Sequence, residues 1–346
     1  MDTLTHALSG ALLGRATAPR SPKPDQLTIR GRMALGFVAA AFPDSDFILR
    51  GIDVLTYLNL HRGVTHSIVM LPLWALILAL VVRALNRNKK PWRVYFGVIA
   101  MGIGIHIAGD VITAYGTKIF APFSDFRLSW PTTFIIDPIF TGIIVLGLLL
   151  SQVRSMGRPM AVAGLSVLVL YVGFQATQHY RSMGLAQDYI ATHGLAGARA
   201  YAMPQPLSPF HWKAMVIDGD NYHEARVNLA RSTLLDFPVG TSGFFKKLKA
   251  SYLPVKQIQW IRHTRFGKNP EDIILAQSAW DHPAFLPFRR FAMFPSLYKL
   301  ERGPQRVCAW FSDLRFTLVG RVTPFRYGMC RGVSSASWQL ESMSRP

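Results

Sequence analysis

Five stretches of this chain, 33–49, 64–82, 94–114, 132–150 and 160–178, are apolar over a length suited to crossing a bilayer. A helix needs about 20 mostly apolar residues to pass the hydrocarbon core, and in lipid every backbone polar group must be paired within the segment. Residues 3–18 add a shorter, small-residue segment. It has no basic start and carries His6 where a signal peptide would be apolar, so it reads as a helix. The pattern predicts an α-helical multi-pass membrane bundle of about six helices over 1–178, followed by a small, mainly antiparallel α+β soluble domain over 179–346. Half of the 346 residues are hydrophobic and only 16% are charged, against about a quarter in soluble proteins. That excludes a disordered or collagen-like chain and argues against an ordinary soluble enzyme. Two cysteines exclude a zinc ribbon or a disulfide-rich scaffold.

The formal charge is +19, an excess that fits nucleic acid, anionic lipid or membrane topology. Its distribution favours topology. Residues 1–178 hold 16 Lys and Arg and 8 acids, all Asp. Twelve of those cations fall in three loops, Arg15 to Arg32, Arg83 to Arg93, and Arg154 with Arg158. These loops follow the first, third and fifth segments, so they share one side, which the positive-inside rule makes cytoplasmic. The N-terminus and the C-terminal domain then face outward.

Ionisable side chains inside membrane segments are expensive and point to function by default. Here they are His6, Asp44, Asp46, His66, His106, Asp110 and Asp137, with His61 just outside a segment. On the topology above all lie at one level, near the outer interface. His106 and Asp110 are four residues apart and share a helix face. Gly102, Gly104 and Gly109 beside them permit close helix approach. Pro43 breaks a helix where Asp44 and Asp46 present two carboxylates. Thr65 is placed to cap a helix starting beside it. His and carboxylate together are the donor set of zinc and similar divalent ions. A lone intramembrane His is more often a helix contact, and Asp2 reads as a solvated terminal residue; the single level of the whole set argues for a site.

The motifs MDTLTHALSG (1–10), PDSD (43–46), HRGVTHS (61–67), HIAGDVITAYGT (106–117), APFSD with Arg127 (121–127) and IIDP (135–138) resemble the YdjM family of bacterial inner-membrane proteins, a resemblance that implies a metal-dependent hydrolase. WFSDLRF (310–316) resembles the later part of longer members. The family is itself similar to zinc-dependent phospholipase C and the related single-strand nucleases. That resemblance implies metal ligation by His6, Asp44, His61, His106 and Asp110, then His66 and Asp46. Those relatives also use the free amine of a processed N-terminus, for which this sequence shows no evident cleavage signal, and a second H-x-x-x-D pair, which does not occur in the membrane part of this chain, so one or two ions are expected. The cofactor expected is a divalent metal, Zn2+ by its donors.

A mechanism follows. Zinc lowers the pKa of a bound water, and Asp44 or Asp46 orients that water or takes its proton. Arg62 and Arg127 either bind a phosphate or anchor to lipid headgroups. Asp137 reads as a partner holding a histidine. The expected function is an integral-membrane hydrolase of a phosphoester or lipid-linked substrate at the outer interface of the bacterial inner membrane, with membrane lipid as partner. Two alternatives stand beside it: a transporter or ion pathway using the buried His and Asp, and a regulatory protein with a structural metal. No nucleic-acid-binding motif is present.

Beyond residue 178, WKAMVI (212–217), YHEARVNL (222–229), RVCAWFSDLRF (306–316) and LVGRVTPFRYGM (318–329) alternate and read as strands. TSGFFKKLKASY (241–252) reads as a basic helix, either a solvated face or one leaning on anionic headgroups. His179, His193, His211, His223, His263 and His282 lack ligand spacing and read as surface or packing residues. Cys308 and Cys330 read as a disulfide, if the domain is exported, or as two reduced thiols.

Overall fold

The computed structural model describes residues 1–153, 156–235, 243–333 and 337–343. Arg154 of the third basic loop, and Thr241 and Ser242 of the expected basic helix, lie outside them. The chain divides into two compact units, Met1–Thr177 and Gln178–Pro346.

The first unit opens with α1 (Thr3–Ala16), whose N-terminus is capped by Asp2 accepting from the Thr5 amide; Asp2 is thus a capping residue rather than a merely solvated one. α2 (Ile29–Ala41) crosses α1 at glycines: a Cβ on Gly10 would stand 2.1 Å from the Gly36 carbonyl oxygen. α2 stops at Pro43, and Phe42–Gly51 continues as 3-10 turns, because proline removes a donor and its ring crowds the preceding turn. Then come α3 (Val54–Leu60), a 3-10 turn at Val64–His66, and α4 (Leu71–Leu85). The Thr65 cap is not formed: its hydroxyl goes to Asp46 and His66, and Ser67 instead accepts from the amides of Val69 and Met70 ahead of α4. α5 (Trp92–Val111) is a continuous 20-residue helix. A strap from 112 to 137 folds back on its end, donating from Trp130 to Val111 and from Thr132 and Thr133 to Ile112. α6 (Pro138–Leu150) and α7 (Gly157–Thr192) follow.

Among the described residues two helices, α5 and α7, are long and apolar enough to cross a membrane; a third crossing results if the segment Val54–His66 and α4, bent by 80°, count as one. The expectation of about six full spans goes beyond these lengths. Helices do form at the other expected places, yet α1, α2 and α6 have only 14, 13 and 13 residues. At 1.5 Å per residue they reach about 20 Å, short of a core of about 30 Å.

The second unit holds two sheets. In the first, β1 (Arg199–Pro204), β2 (His211–Asp218) and β3 (Asn221–Asn228) run antiparallel, with β4 (Leu253–Pro254) parallel and β5 (Trp260–Thr264) antiparallel to β3. In the second, β6 (Pro295–Arg302), β7 (Arg306–Asp313), β8 (Tyr327–Gly332) and β9 (Gln339–Ser342) pair in order. Helices α8 (Phe244–Ala250), α9 (Pro270–Asp281) and α10 (Leu286–Phe291) lie between strands in sequence. Trp212, Val227 and Ala202 form a dry core with Met183 and Leu185 of α7. The strand expected over 318–329 forms only at its end, as β8. Gly320 and Phe325 take positive φ, and Pro324 cannot donate to a ladder. Cys308 and Cys330 face each other on β7 and β8 and are disulfide-bonded. Two of the histidines here pack, His211 stacked on Tyr252 and His179 against Trp212, whereas His193 is exposed.

Candidate metal centre

Four side chains from three separate places in the chain converge at one end of the first unit. Asp44 comes from the 3-10 stretch after α2, His66 from the turn before α4, and His106 and Asp110 from one face of α5. All but Asp44 are fully buried, and Asp44 is partly exposed. His66 Nε2 stands 3.5 Å from Asp44 Oδ1 and 3.3 Å from Asp110 Oδ2. His106 Nε2 stands 3.7 Å and 3.5 Å from the same two oxygens.

The other polar atom of each donor residue is committed to the protein. His106 Nδ1 is 2.6 Å from the Ala40 carbonyl, which makes it the protonated nitrogen and leaves Nε2 with a lone pair. His66 Nδ1 meets the Thr65 hydroxyl at 3.0 Å. Thr3 donates to Asp44 Oδ2. Asp110 Oδ1 takes the Arg62 guanidinium at 2.9 Å, His6 Nε2 at 3.0 Å and the amino group of Met1. What remains are Asp44 Oδ1, His66 Nε2, His106 Nε2 and Asp110 Oδ2. The last three are buried with no hydrogen-bond partner among the described residues. Buried polar atoms left unpaired are costly and rare. Their separations exceed good hydrogen bonds and match the edge of a tetrahedron with metal–ligand bonds of about 2.0–2.1 Å, roughly 3.3–3.4 Å. The donor set therefore fits a divalent cation.

A second group, Asp46, His61 and His66, adjoins the first. His61 Nδ1 lies 3.0 Å from Asp46 Oδ1, and Asp46 Oδ2 accepts from the Arg62 amide and the Thr65 hydroxyl. The two groups share His66, whose Nδ1 is 3.7 Å from Asp46 Oδ2.

The remaining expected residues fall as follows. His6 is outside both donor groups; it stacks on His106 with centroids 3.7 Å apart, over Gly109, where a Cβ would stand 3.0 Å from the ring. Gly102 likewise sits hard against Ala39, whereas Gly104 makes no close approach. Arg62 is buried, with positive φ, and its guanidinium is bound to Asp110 and Thr113. It is the counter-ion of a donor residue, not a group facing the interface. Arg127 is half-buried, donating to the carbonyls of Asn59 and Gly116 beside the Tyr115 ring. Asp137 meets no histidine among the described residues: it caps α6 through the amides of Ile139 and Phe140 and accepts from Tyr171. Sequence reasoning missed Thr3 and Thr113 and gave Thr65 a capping role only, although each lies within a quoted motif, three residues or fewer from a His or Asp.

The fold and this cluster define a class: a helical membrane protein with a buried His/Asp centre suited to a metal ion. The chain belongs to the family described as YdjM inner membrane protein, whose model matches residues 1–182. It is also similar to the uncharacterized protein YfhP of Bacillus subtilis (strain 168), 26% identical over 175 residues, or 50% of this chain and 52% of that one. The match thus spans about half the length of that relative. No solved structure matches the chain.

Proposed function

We propose that the protein is an integral-membrane, metal-dependent hydrolase of the inner membrane that acts on a phosphoester or lipid-linked substrate at the outer interface. The observation that carries this reading is the convergence of four donor atoms whose residues are each fastened through their other atom. Asp44, His66, His106 and Asp110 would hold one ion, zinc by the borderline character of the set. Bound there, the ion supplies a Lewis acid and lowers the pKa of a coordinated water toward neutrality. Arg62 and His6 hold Asp110 so that only Oδ2 faces the centre. Ala40 holds the His106 ring in one tautomer. Asp46, gripped by His61 and the Arg62 amide, stands beside the centre and is placed to take a proton from a water there. Arg127, bonded to the Asn59 and Gly116 carbonyls beside the Tyr115 ring, would add positive charge on that side for a phosphate.

The cluster gathers at one end of the unit, which favours a single site over a transport pathway strung through the membrane depth. A second reading has its own support: four protein donors make a closed, structural site, whereas catalytic zinc keeps a position open. The two readings separate in one preparation. The purified protein should bind about one zinc per chain by elemental analysis, lost in His106→Ala and Asp110→Ala. Replacing zinc by cobalt makes the coordination visible. A cobalt absorption spectrum that shifts on adding phosphate marks an open position; one that does not supports the structural metal. Protein that stays metal-free after zinc is added back sinks both. In a phosphodiester assay Asp46→Asn should retain the metal and lose about 100-fold or more in turnover.

For location, we read the C-terminal unit as periplasmic; the cation-rich loops support that reading, and the Cys308–Cys330 disulfide suits an oxidising compartment. Protease added to spheroplasts should digest that unit and spare the loop from Arg83 to Arg93.

A further inference from the structure

The segments that carry the donors are irregular, yet their outward side chains are apolar. Phe47 and Ile48 are exposed on the 3-10 stretch that carries Asp44, and Ile52, which follows it, is exposed to 76%. Phe123 and Phe126 are exposed on the strap, Phe123 to 80%. The strap is fastened to the site by backbone bonds from Lys118 to Arg62 and from Ile68 to Ile119. An outer loop in water has no reason to expose such groups together. The cation among them, exposed Arg50, is of the kind that pairs with headgroup phosphates.

Depth gives the second argument. His106 and Asp110 lie 14 and 18 residues along α5 from Trp92, about 21 and 27 Å at 1.5 Å per residue. Trp92 follows Lys89 and Lys90, the cation-and-aromatic pattern of a membrane boundary. Against a hydrocarbon core of about 30 Å, the donors sit beneath the far headgroups, not above them. The lipid-facing surface is also continuous: exposed Leu73, Ile77 and Leu80 of α4 lead into exposed Ile68 and Val69 beside His66.

We infer that the 3-10 stretch after α2 and the strap after α5 form an apolar rim seated in the outer leaflet, so that the donor cluster opens sideways to lipid and not upward to bulk water. Resting on the hydrolase reading, the substrate is then a membrane amphiphile whose polar group slides in past Asp44, with its apolar chain left in the leaflet. A freely soluble ester would have to cross the rim.

The test measures the rim without metal or substrate. Nitroxide labels are placed through Ile52→Cys and Phe123→Cys in the full chain, reconstituted in vesicles of phosphatidylethanolamine and phosphatidylglycerol. Leu80→Cys serves as the lipid reference and Lys268→Cys as the aqueous one. Collision with oxygen and with a water-soluble nickel chelate is read by power-saturation EPR. Both rim labels should favour oxygen over the chelate, as the Leu80 label does. Both behaving like the Lys268 label overturns the rim, even if the protein proves to be a hydrolase. Rim labels in lipid together with no ester hydrolysis uphold the rim and remove the enzyme reading alone. Because both positions are outward-facing, the substitutions leave the core untouched; native-like chelate protection of the Leu80 label confirms a folded preparation.

Discussion

Asp110 illustrates how one residue is forced into its role. It is buried, and a carboxylate there persists only with countercharge and hydrogen bonds. Arg62 and His6 converge on Oδ1, and Oδ2 is thereby left pointing at the two imidazoles. Removing the carboxylate strands a buried guanidinium, so Asp110→Ala should cost about 3–5 kcal/mol of stability in metal-free protein, read as a fall in thermal unfolding temperature. The hydroxyl partners act differently. Thr3→Ala and Thr65→Ala leave the four donors in place but free Asp44 and His66 to turn. Such partners of metal ligands typically carry 10–100-fold in affinity, so both variants should bind zinc about that much more weakly in a chelator competition while keeping near-native unfolding.

At the scale of elements, the site exists because helices approach more closely than ordinary side chains allow. α1 and α2 meet at Gly10 and Gly36, and α2 meets α5 where Gly102 lies against Ala39. Each contact sets where a donor stands, since His6 is on α1, Asp44 follows α2 and His106 is on α5. Gly36→Ala would put a Cβ 2.3 Å from the Gly10 carbonyl oxygen, which backbone must move to accommodate. Overpacking of this kind costs about 1–3 kcal/mol. The expected result is a lower unfolding temperature together with reduced zinc stoichiometry, because the shift separates Asp44 from α5. An alanine at Gly142, where nothing lies within 4 Å, should change neither.

For the whole molecule, the two units answer to different variables. The first unit should respond to metal, and the second to pH. Burial pushes the His211 imidazole down to about 4. Burial also works against the Glu224 carboxylate, yet Lys213, His263 and Arg226 outweigh it and hold the group at about 2. Both groups bind protons more readily when unfolded, at the ordinary 6.5 and 4.5. The stability these two groups contribute is therefore full above pH 6.5, falls between 6.5 and 4 as unfolded His211 protonates, and falls again between 4.5 and 2 through Glu224. Denaturant unfolding of the full chain in detergent should show this decline. His211→Phe should flatten the upper part and Glu224→Gln the lower.

Some of this was legible from the residues alone. The apolar segments, the three basic loops and the His and Asp that break the apolar pattern follow from local rules: lipid excludes charge, and a four-residue spacing puts His106 and Asp110 on one face whatever surrounds them. Strands β2, β3 and β7 were likewise visible in alternation. Three things only the tertiary structure decided. Apolarity does not specify where a helix ends, so the Pro43 break and the Ser67 turn shortened two expected spans. Asp137 and Arg62 looked like Asp44 and Arg127 in sequence, but a capping amide and a buried carboxylate claimed them first. And the choice among seven candidate ligands rested on which atom of each side chain its neighbours had already taken. That is a matter of contacts between residues up to 109 positions apart, which no local pattern contains.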